Sequence, residues 1–182
     1  MGKVCWHCTM SLDGFVAGPG HSMAWMQGLD VRPGVVADYI ATTGAILGGR
    51  RGWDAVVDDV RPYGGAWKGP IFVLTHHPED ARPAGDVTFL DCDLADALSI
   101  CLRAAKGKNV EIFSADISGQ AIQRGLLDEI AVHVAPVLLG DGVRFFQAAG
   151  GEPVRWRRVD ANTEFEVVDL RYEPIRATAA SS

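Results

Sequence analysis

Apolar residues recur along this chain with two periods. Short runs rich in Val, Ile, Leu and Phe, bounded by Gly, Pro, Asp or Asn, mark strands at Val4–Met10, Ala45–Leu47, Ile71–Thr75, Val87–Leu90, Val110–Phe113, Ile130–Leu139 and Glu164–Tyr172. Between some of them the spacing lengthens to three and four. Leu94, Ala97, Leu98, Cys101, Leu102 and Ala105 share one face of a helix that Asp93 caps and Lys106-Gly107 stops. Val35–Thr43 reads as a shorter helix after Pro33-Gly34, and Ile117–Leu127 as another, entered from Ser114-Ala115-Asp116 and left at Asp128. This alternation predicts an α/β domain with a mainly parallel sheet covered by helices. Beyond Asp128 the pattern becomes strand, turn and strand. Gly140-Asp141-Gly142 supplies positive-φ positions and Gly150-Gly151 a further break, so the sheet is expected to finish antiparallel.

A length of 182 residues, 48% of them hydrophobic, suits one domain over 1–176, followed by a frayed tail of small residues at 177–182. Seventeen Lys and Arg against twenty-three Asp and Glu leave a net charge of −6, the wrong sign for gripping phosphate backbones, so no nucleic-acid partner is expected. No stretch reaches the apolar length of a bilayer span and the N-terminus lacks the features of a secretory signal, which predicts a cytoplasmic protein without membrane partners. The four cysteines read as reduced thiols. Cys5 and Cys8 match CxxC, but a strand's period of two sends them to opposite faces, which disfavours a redox or zinc role, and no metal site is expected.

Candidate chemistry gathers at the carboxyl ends of strands, where open α/β sheets bind ligands. In Ser11-Leu12-Asp13-Gly14-Phe15-Val16-Ala17-Gly18, glycines can bring backbone close to a flat ring while Asp13 accepts hydrogen bonds from ring nitrogens; a plain turn is the competing reading. Gly48-Gly49-Arg50-Arg51-Gly52-Trp53 offers guanidinium forks for phosphate and a helix start near Gly52, or else a basic surface turn. It matches neither GxGxxG nor a P-loop. Thr75-His76-His77 can line an adenosine phosphate or face solvent; adjacent histidines on extended chain point apart, so a shared metal is not expected there. Ser114-Ala115-Asp116-Ile117 is a strand-to-helix turn whose amides can cradle a pyrophosphate.

Taken together, these segments resemble the dihydrofolate-reductase-like superfamily, and more closely the branch containing the C-terminal reductase domain of bacterial riboflavin biosynthesis. The resemblance rests on Ser11-Leu12-Asp13-Gly14, on Gly49-Arg50-Arg51-Gly52-Trp53, and on Gly125-Leu126-Leu127-Asp128-Glu129-Ile130 running into Ala135-Pro136-Val137-Leu138-Leu139-Gly140-Asp141-Gly142. It implies a three-layer fold with a mixed, mainly parallel sheet of about eight strands, antiparallel at its C-terminal edge. It also implies a homodimer, to which Ile130–Leu139 contributes unless that run is a central strand. The implied activity is NADPH-dependent hydride transfer to a small pterin-, pyrimidine- or imine-like heterocycle.

Carried over by position, Phe15, Val16 and Ala17 pass the nicotinamide, Gly49, Arg50 and Arg51 hold adenosine-side phosphates, Thr75 and His76 line the adenosine half, and Ser114, Ala115, Asp116 and Ile117 face the pyrophosphate. Ser11, Asp13 and Trp53 face the substrate, with Asp38 and Tyr39 of the first helix as lesser candidates. Asp13 is the expected proton donor, with the raised pKa of a half-buried acid. Asp128-Glu129 is read as structural, and Leu126, Leu127, Val134 and Val137 as core. One departure stands out. Family members that use NADPH usually carry a glycine pair in the fourth turn, where Ser114-Ala115-Asp116 is expected to put a helix-capping carboxylate against the pyrophosphate. That departure keeps open a family member without hydride transfer, either a cofactor-independent enzyme of specialised metabolism or a ligand-binding or resistance protein.

Overall fold

The computed structural model describes residues 2–55, 61–81, 85–147 and 152–175; the Gly150-Gly151 break and the 177–182 tail lie outside them. Its elements are β1 (Val4–Ser11), β2 (Phe15–Ala17), α1 (Val35–Thr42), β3 (Thr43–Gly49), α2 (Arg50–Ala55), β4 (Ile71–Leu74), β5 (Val87–Leu90), α3 (Leu94–Ala104), β6 (Asn109–Phe113), α4 (Ala115–Gln123), β7 (Glu129–Ala135), β8 (Val143–Arg144), β9 (Trp156–Asn162) and β10 (Val168–Pro174). Eight of the strands form one sheet in the order β5-β4-β3-β6-β1-β7-β10-β9. The first six run parallel, while β10 pairs antiparallel with both β7 and β9. The sheet is therefore mixed, mostly parallel and antiparallel at its C-terminal edge, as the sequence predicts.

Period-two alternation sorts the strand residues onto two unlike faces. Val4, Trp6, Val110, Ile112, Ile130 and Val132 point to one side, where α3 and α4 close the main core with Leu98, Cys101, Ile117, Ala121 and Leu127. The opposite face, covered by α1 through Val35 and Tyr39, receives Ala131 and a set of polar side chains. Cys8 packs against the main core and Cys5 does not, which is the separation expected of positions three apart on a strand.

Several boundaries shift for local reasons. The expected Ile117–Leu127 helix is α4, which starts at Ala115 because Ser114 caps it, accepting from the Ile117 amide at 3.4 Å, and stops before Gly125 at φ 65°. Ile130–Leu139 shortens to β7, which ends before Pro136 and lies between β1 and β10, making it a central strand. Glu164–Tyr172 moves to β10. Its antiparallel partner β9 has no counterpart among the expected strands, since Trp156-Arg157-Arg158-Val159-Asp160 shows no apolar alternation. Gly142 does take a positive φ, 136°, and a Cβ there would meet the Ala17 carbonyl oxygen at 2.1 Å, so the β2–β8 ribbon closes only over a glycine.

Candidate functional site

Strand order locates a crevice before any side chain is considered. β3 and β6 are neighbours, yet the chain leaves β3 toward β4 on one side and leaves β6 toward β7 on the other. Such a divergence of connections opens a cleft at the carboxyl ends of the two strands. Gly48 pairs with Phe113 at this rim, and Gly49 lies so close to the next turn that a Cβ would meet Ser114 Oγ at 2.9 Å. The second and fourth turns singled out in the sequence are thus one surface.

The fourth turn is capped by a different residue than its sequence suggests. Asp116 does not cap α4; Ser114 does, and the exposed Asp116 carboxylate accepts from Gln120 Nε2 at 3.3 Å on the solvent side of the helix. Ala115 and Ile117 pack toward the core. Among the arginines, Arg50 is already engaged. Its Nε donates to Asp54, and its terminal nitrogens donate to the carbonyls of His77 at 2.8 Å and Asp80 at 2.6 Å, which fastens the β4–β5 loop to α2. Arg51 is exposed, with no ion pair among the described residues, and is the cation left to the rim. Thr75 is buried, its hydroxyl accepting from the His77 amide, whereas the His76 side chain is 94% exposed.

Asp13 departs from the proton-donor expectation. Ser11 Oγ donates to it at 2.6 Å, and the amides of Leu139 and Gly140 donate at 3.1 and 2.7 Å. These donors, the Ser11 hydroxyl foremost, lower its pKa to about 2 rather than raising it, so at neutral pH Asp13 is an anion tying the β1–β2 loop to the segment after β7. The hydroxyl of Ser11 also accepts from the Phe15 amide. Phe15 and Ala17 are buried in the small ribbon with Val16 between them, and Arg144 lies over the Phe15 ring. Trp53 meets Phe89 of the edge strand β5 edge-on, four strands from β1, so it is not gathered with Asp13. Asp38 is exposed and paired with Arg32 at 2.7 Å. Asp128 accepts from the Val4 amide and Glu129 pairs with Lys3, in keeping with a structural motif. Leu127 is fully buried, and Leu126 and Val134 pack against the same core.

Tyr39 leads to a group the sequence reading did not assemble. Its ring stacks on His7 at a centroid distance of 3.5 Å, and His7 Nε2 lies 2.7 Å from His133 Nε2. His133 Nδ1 is 2.5 Å from Asp169 Oδ1. On the other side His7 Nδ1 contacts the Tyr63 hydroxyl at 3.1 Å, and that hydroxyl donates to Glu111. Thr43 Oγ1, turned to this face where a bulge interrupts the β3–β6 register, is 2.5 Å from the other Glu111 oxygen. Burial, reinforced by Glu111, pushes the Tyr63 hydroxyl well above its ordinary pKa; burial and then the neighbouring His7 push the His133 imidazole down. The sequence signal for this group is parity: His7, Glu111, His133 and Asp169 all occupy the positions that alternate away from the main core. Pairwise register, which a lone sequence does not supply, is what joins them.

A concavity of about 690 Å³ lies at the opposite, amino end of the sheet, lined in part by Lys3, Asp128, Arg157 and Glu173. Lys3 and Arg157 are both paired with Glu173 there, and none of the strand-end turns reaches it, so the rim remains the candidate site.

Comparison with known proteins shows the family and the fold. The chain matches the RibD C-terminal domain over residues 2–167. It belongs to that family. An uncharacterised Bacillus subtilis (strain 168) protein, YwjB, is 27% identical over 154 residues, which cover 82% of this chain and 86% of the relative. Among solved structures, a Shewanella sp. PV-4 protein ascribed to riboflavin biosynthesis superposes with a TM-score of 0.78 at 22% identity, covering 96% of this chain and 99% of that one. Dihydrofolate reductase from Enterococcus faecalis, solved with NADP(H), superposes with a TM-score of 0.64 at 15% identity over 96% of this chain and 98% of its own. These structural likenesses establish a dihydrofolate-reductase-like fold. Among the described residues no helix is long and apolar enough to cross a membrane.

Proposed function

We propose that this RibD C-terminal domain family member is an NADPH-dependent reductase of a small nitrogen heterocycle, binding the dinucleotide across the carboxyl ends of β3 and β6. The observation that carries the reading is the β3–β6 divergence of connections, where Gly49 packs against Ser114 and Ser114, not Asp116, caps α4. Residues there fit a pyrophosphate: two adjacent turns of small residues, the start of α4, and one exposed cation, Arg51. When bound, the nicotinamide supplies the hydride; the protein's part is to orient the acceptor, exclude water and manage the accompanying proton. The Asp13 clamp fixes the β1–β2 loop beside this edge, keeping Phe15, Val16 and Ala17 in register for the nicotinamide half. A homodimer belongs to the same proposal and is checked by sedimentation; within the protomer β7 is paired on both edges.

Titration with NADPH, followed through tryptophan fluorescence, tests the reading. Trp53 lies two residues beyond Arg51 on α2 and is well placed to report. Saturable quenching is expected, with affinity reduced roughly tenfold in Arg51→Glu, about 1.4 kcal/mol. Absence of saturable binding by the folded wild-type protein would contradict the proposal. The departure at Ser114-Ala115-Asp116 sustains the other reading, a family member without hydride transfer, which predicts stabilisation by a heterocycle and none by NADPH.

A further inference from the structure

The polar group under α1 has a proton count that a static hydrogen-bond inventory conceals. Four contacts connect Asp169 to Glu111, in the order Asp169–His133, His133–His7, His7–Tyr63 and Tyr63–Glu111. Each needs one hydrogen. With both carboxyls ionised and both imidazoles neutral, the five groups carry three: one on each imidazole and one on the phenol. A continuous chain therefore holds one proton more than the ordinary neutral-pH inventory. That proton can reside on either imidazole or either carboxyl without breaking a contact, because moving it reverses the direction of successive hydrogen bonds. Thr43 does not close the gap: its single hydroxyl proton goes either to Glu111 or to the Tyr39 carbonyl, 2.7 Å away.

The two ends differ in access. Glu111 is 2% exposed, whereas the Asp169 carboxyl is only part-buried and lies beside Arg32, itself joined to the exposed Asp38. Of the inner members, His7 lies at the height of the rim, while Glu111 pairs with Ile46, two residues before it. Trp6 pairs with Ile112, so His7 is level with Phe113, the residue that pairs with Gly48 at the crevice. The Tyr63 ring sits edge-on to Phe113 at 5.9 Å. Tyr63 also holds a backbone φ of 55°, uncommon for a side chain of its size, followed by Gly64 and Gly65 at positive φ. The turn is bent to deliver this phenol.

We propose that Asp169, His133, His7, Tyr63 and Glu111 form a proton relay that runs from the part-buried surface beside Arg32 toward the carboxyl ends of β6 and β1, on the nicotinamide side of the pyrophosphate turns, and protonates the nitrogen of a C=N acceptor reduced there. The use of the proton in reduction rests on the function proposed above; the stored proton does not. Addition of a hydride, from the reduced nicotinamide of that reading, to the carbon of the acceptor moves the C=N electron pair to nitrogen. The nitrogen takes the Tyr63 hydroxyl proton, Tyr63 oxygen takes the proton on His7 Nδ1, and His7 Nε2 takes the one on His133 Nε2. His133 is left neutral, and water restores the proton through Asp169. Tyr63 is the catalytic residue of this scheme, and His7, His133 and Asp169 are its relay. Beyond its own members, the titrating centre is faced by Tyr39 from α1, Thr43 from β3, Arg171 from β10 and, at Asp169, by Arg32.

NMR of the full chain, labelled with ¹⁵N in the imidazoles and ¹³C in the carboxyls, counts the protons directly at pH 7. The expected wild-type result is one imidazolium, shared or localised, or one protonated carboxyl among Asp169, His133, His7 and Glu111. Tyr63→Phe removes two of the four contacts, and the two that remain need only the hydrogens of neutral imidazoles, so the variant is expected to lose the extra proton. A wild-type protein with both imidazoles neutral and both carboxyls ionised overturns the relay, whether or not the variant folds; so does a variant that retains the proton. Saturable NADPH binding without the extra proton removes the relay alone, and the extra proton without NADPH binding removes its reductive use together with the function above.

Discussion

Asp13 accepts from the Ser11 hydroxyl and from two backbone amides, and its consequences are electrostatic before they are catalytic. Because its folded pKa is lowered from 3.8 to about 2, the stabilisation it provides is fully present above pH 3.8 and is lost as pH falls through about 2. Asp13→Asn is expected to lower the melting temperature at pH 7, with the deficit shrinking between pH 4 and pH 2; a deficit independent of pH would show that the carboxylate charge is not what matters. The sequence identifies Asp13 as a special residue but not its role, since the amides it meets come from Leu139 and Gly140, over a hundred residues away. His7 and His133 illustrate the reverse case. Each is a single histidine in a mainly apolar strand, which ordinarily reads as a satisfied core position, and only the pairing of β1 with β7 brings the two rings together.

At the scale of elements, legibility follows the amount of apolar periodicity. α3 is read within one residue of its ends because Leu94, Ala97, Leu98 and Cys101 are all buried on one face and Asp93 caps it, accepting from the Ala95 amide. β9 escapes because it is an edge strand exposed on both faces, so no alternation marks it. The start of α4 differs from the sequence expectation for a subtler reason: Ser114 and Asp116 are both good capping residues, and the chain uses the first. Ser114→Ala is expected to cost about 1 kcal/mol in urea denaturation. Gly142→Ala tests the other closure of the site. Its Cβ would meet rigid backbone at Ala17, at a positive φ, and a loss of about 2 kcal/mol or more is expected, together with loss of protection of the β2–β8 amides in hydrogen exchange. A loss below about 0.5 kcal/mol would mean the ribbon closes differently.

For the molecule as a whole, one sheet separates two kinds of interior. The α3/α4 side is a close-packed apolar core, while the α1 side holds two imidazoles, a phenol and two carboxyls in mutual contact. Buried polar groups of that density are costly unless fully satisfied, and here their satisfaction requires the extra proton. The fold class and the rim were legible because strand order follows from the alternation of elements, and the rim from the turns at strand ends. The polar face was not, because it depends on five segments meeting. If the rim binds NADPH, a hundredfold excess over the dissociation constant should stabilise the protein by about 2.7 kcal/mol, read as a rise in melting temperature that Arg51→Glu diminishes at the same concentration. The most direct measurement is a crystal structure of the full chain grown with saturating NADPH. The account predicts the pyrophosphate between Gly48-Gly49 and Ser114–Ile117, with the nicotinamide toward the β1–β2 loop; a dinucleotide bound elsewhere, or a rim closed by the protein's own side chains, would contradict it.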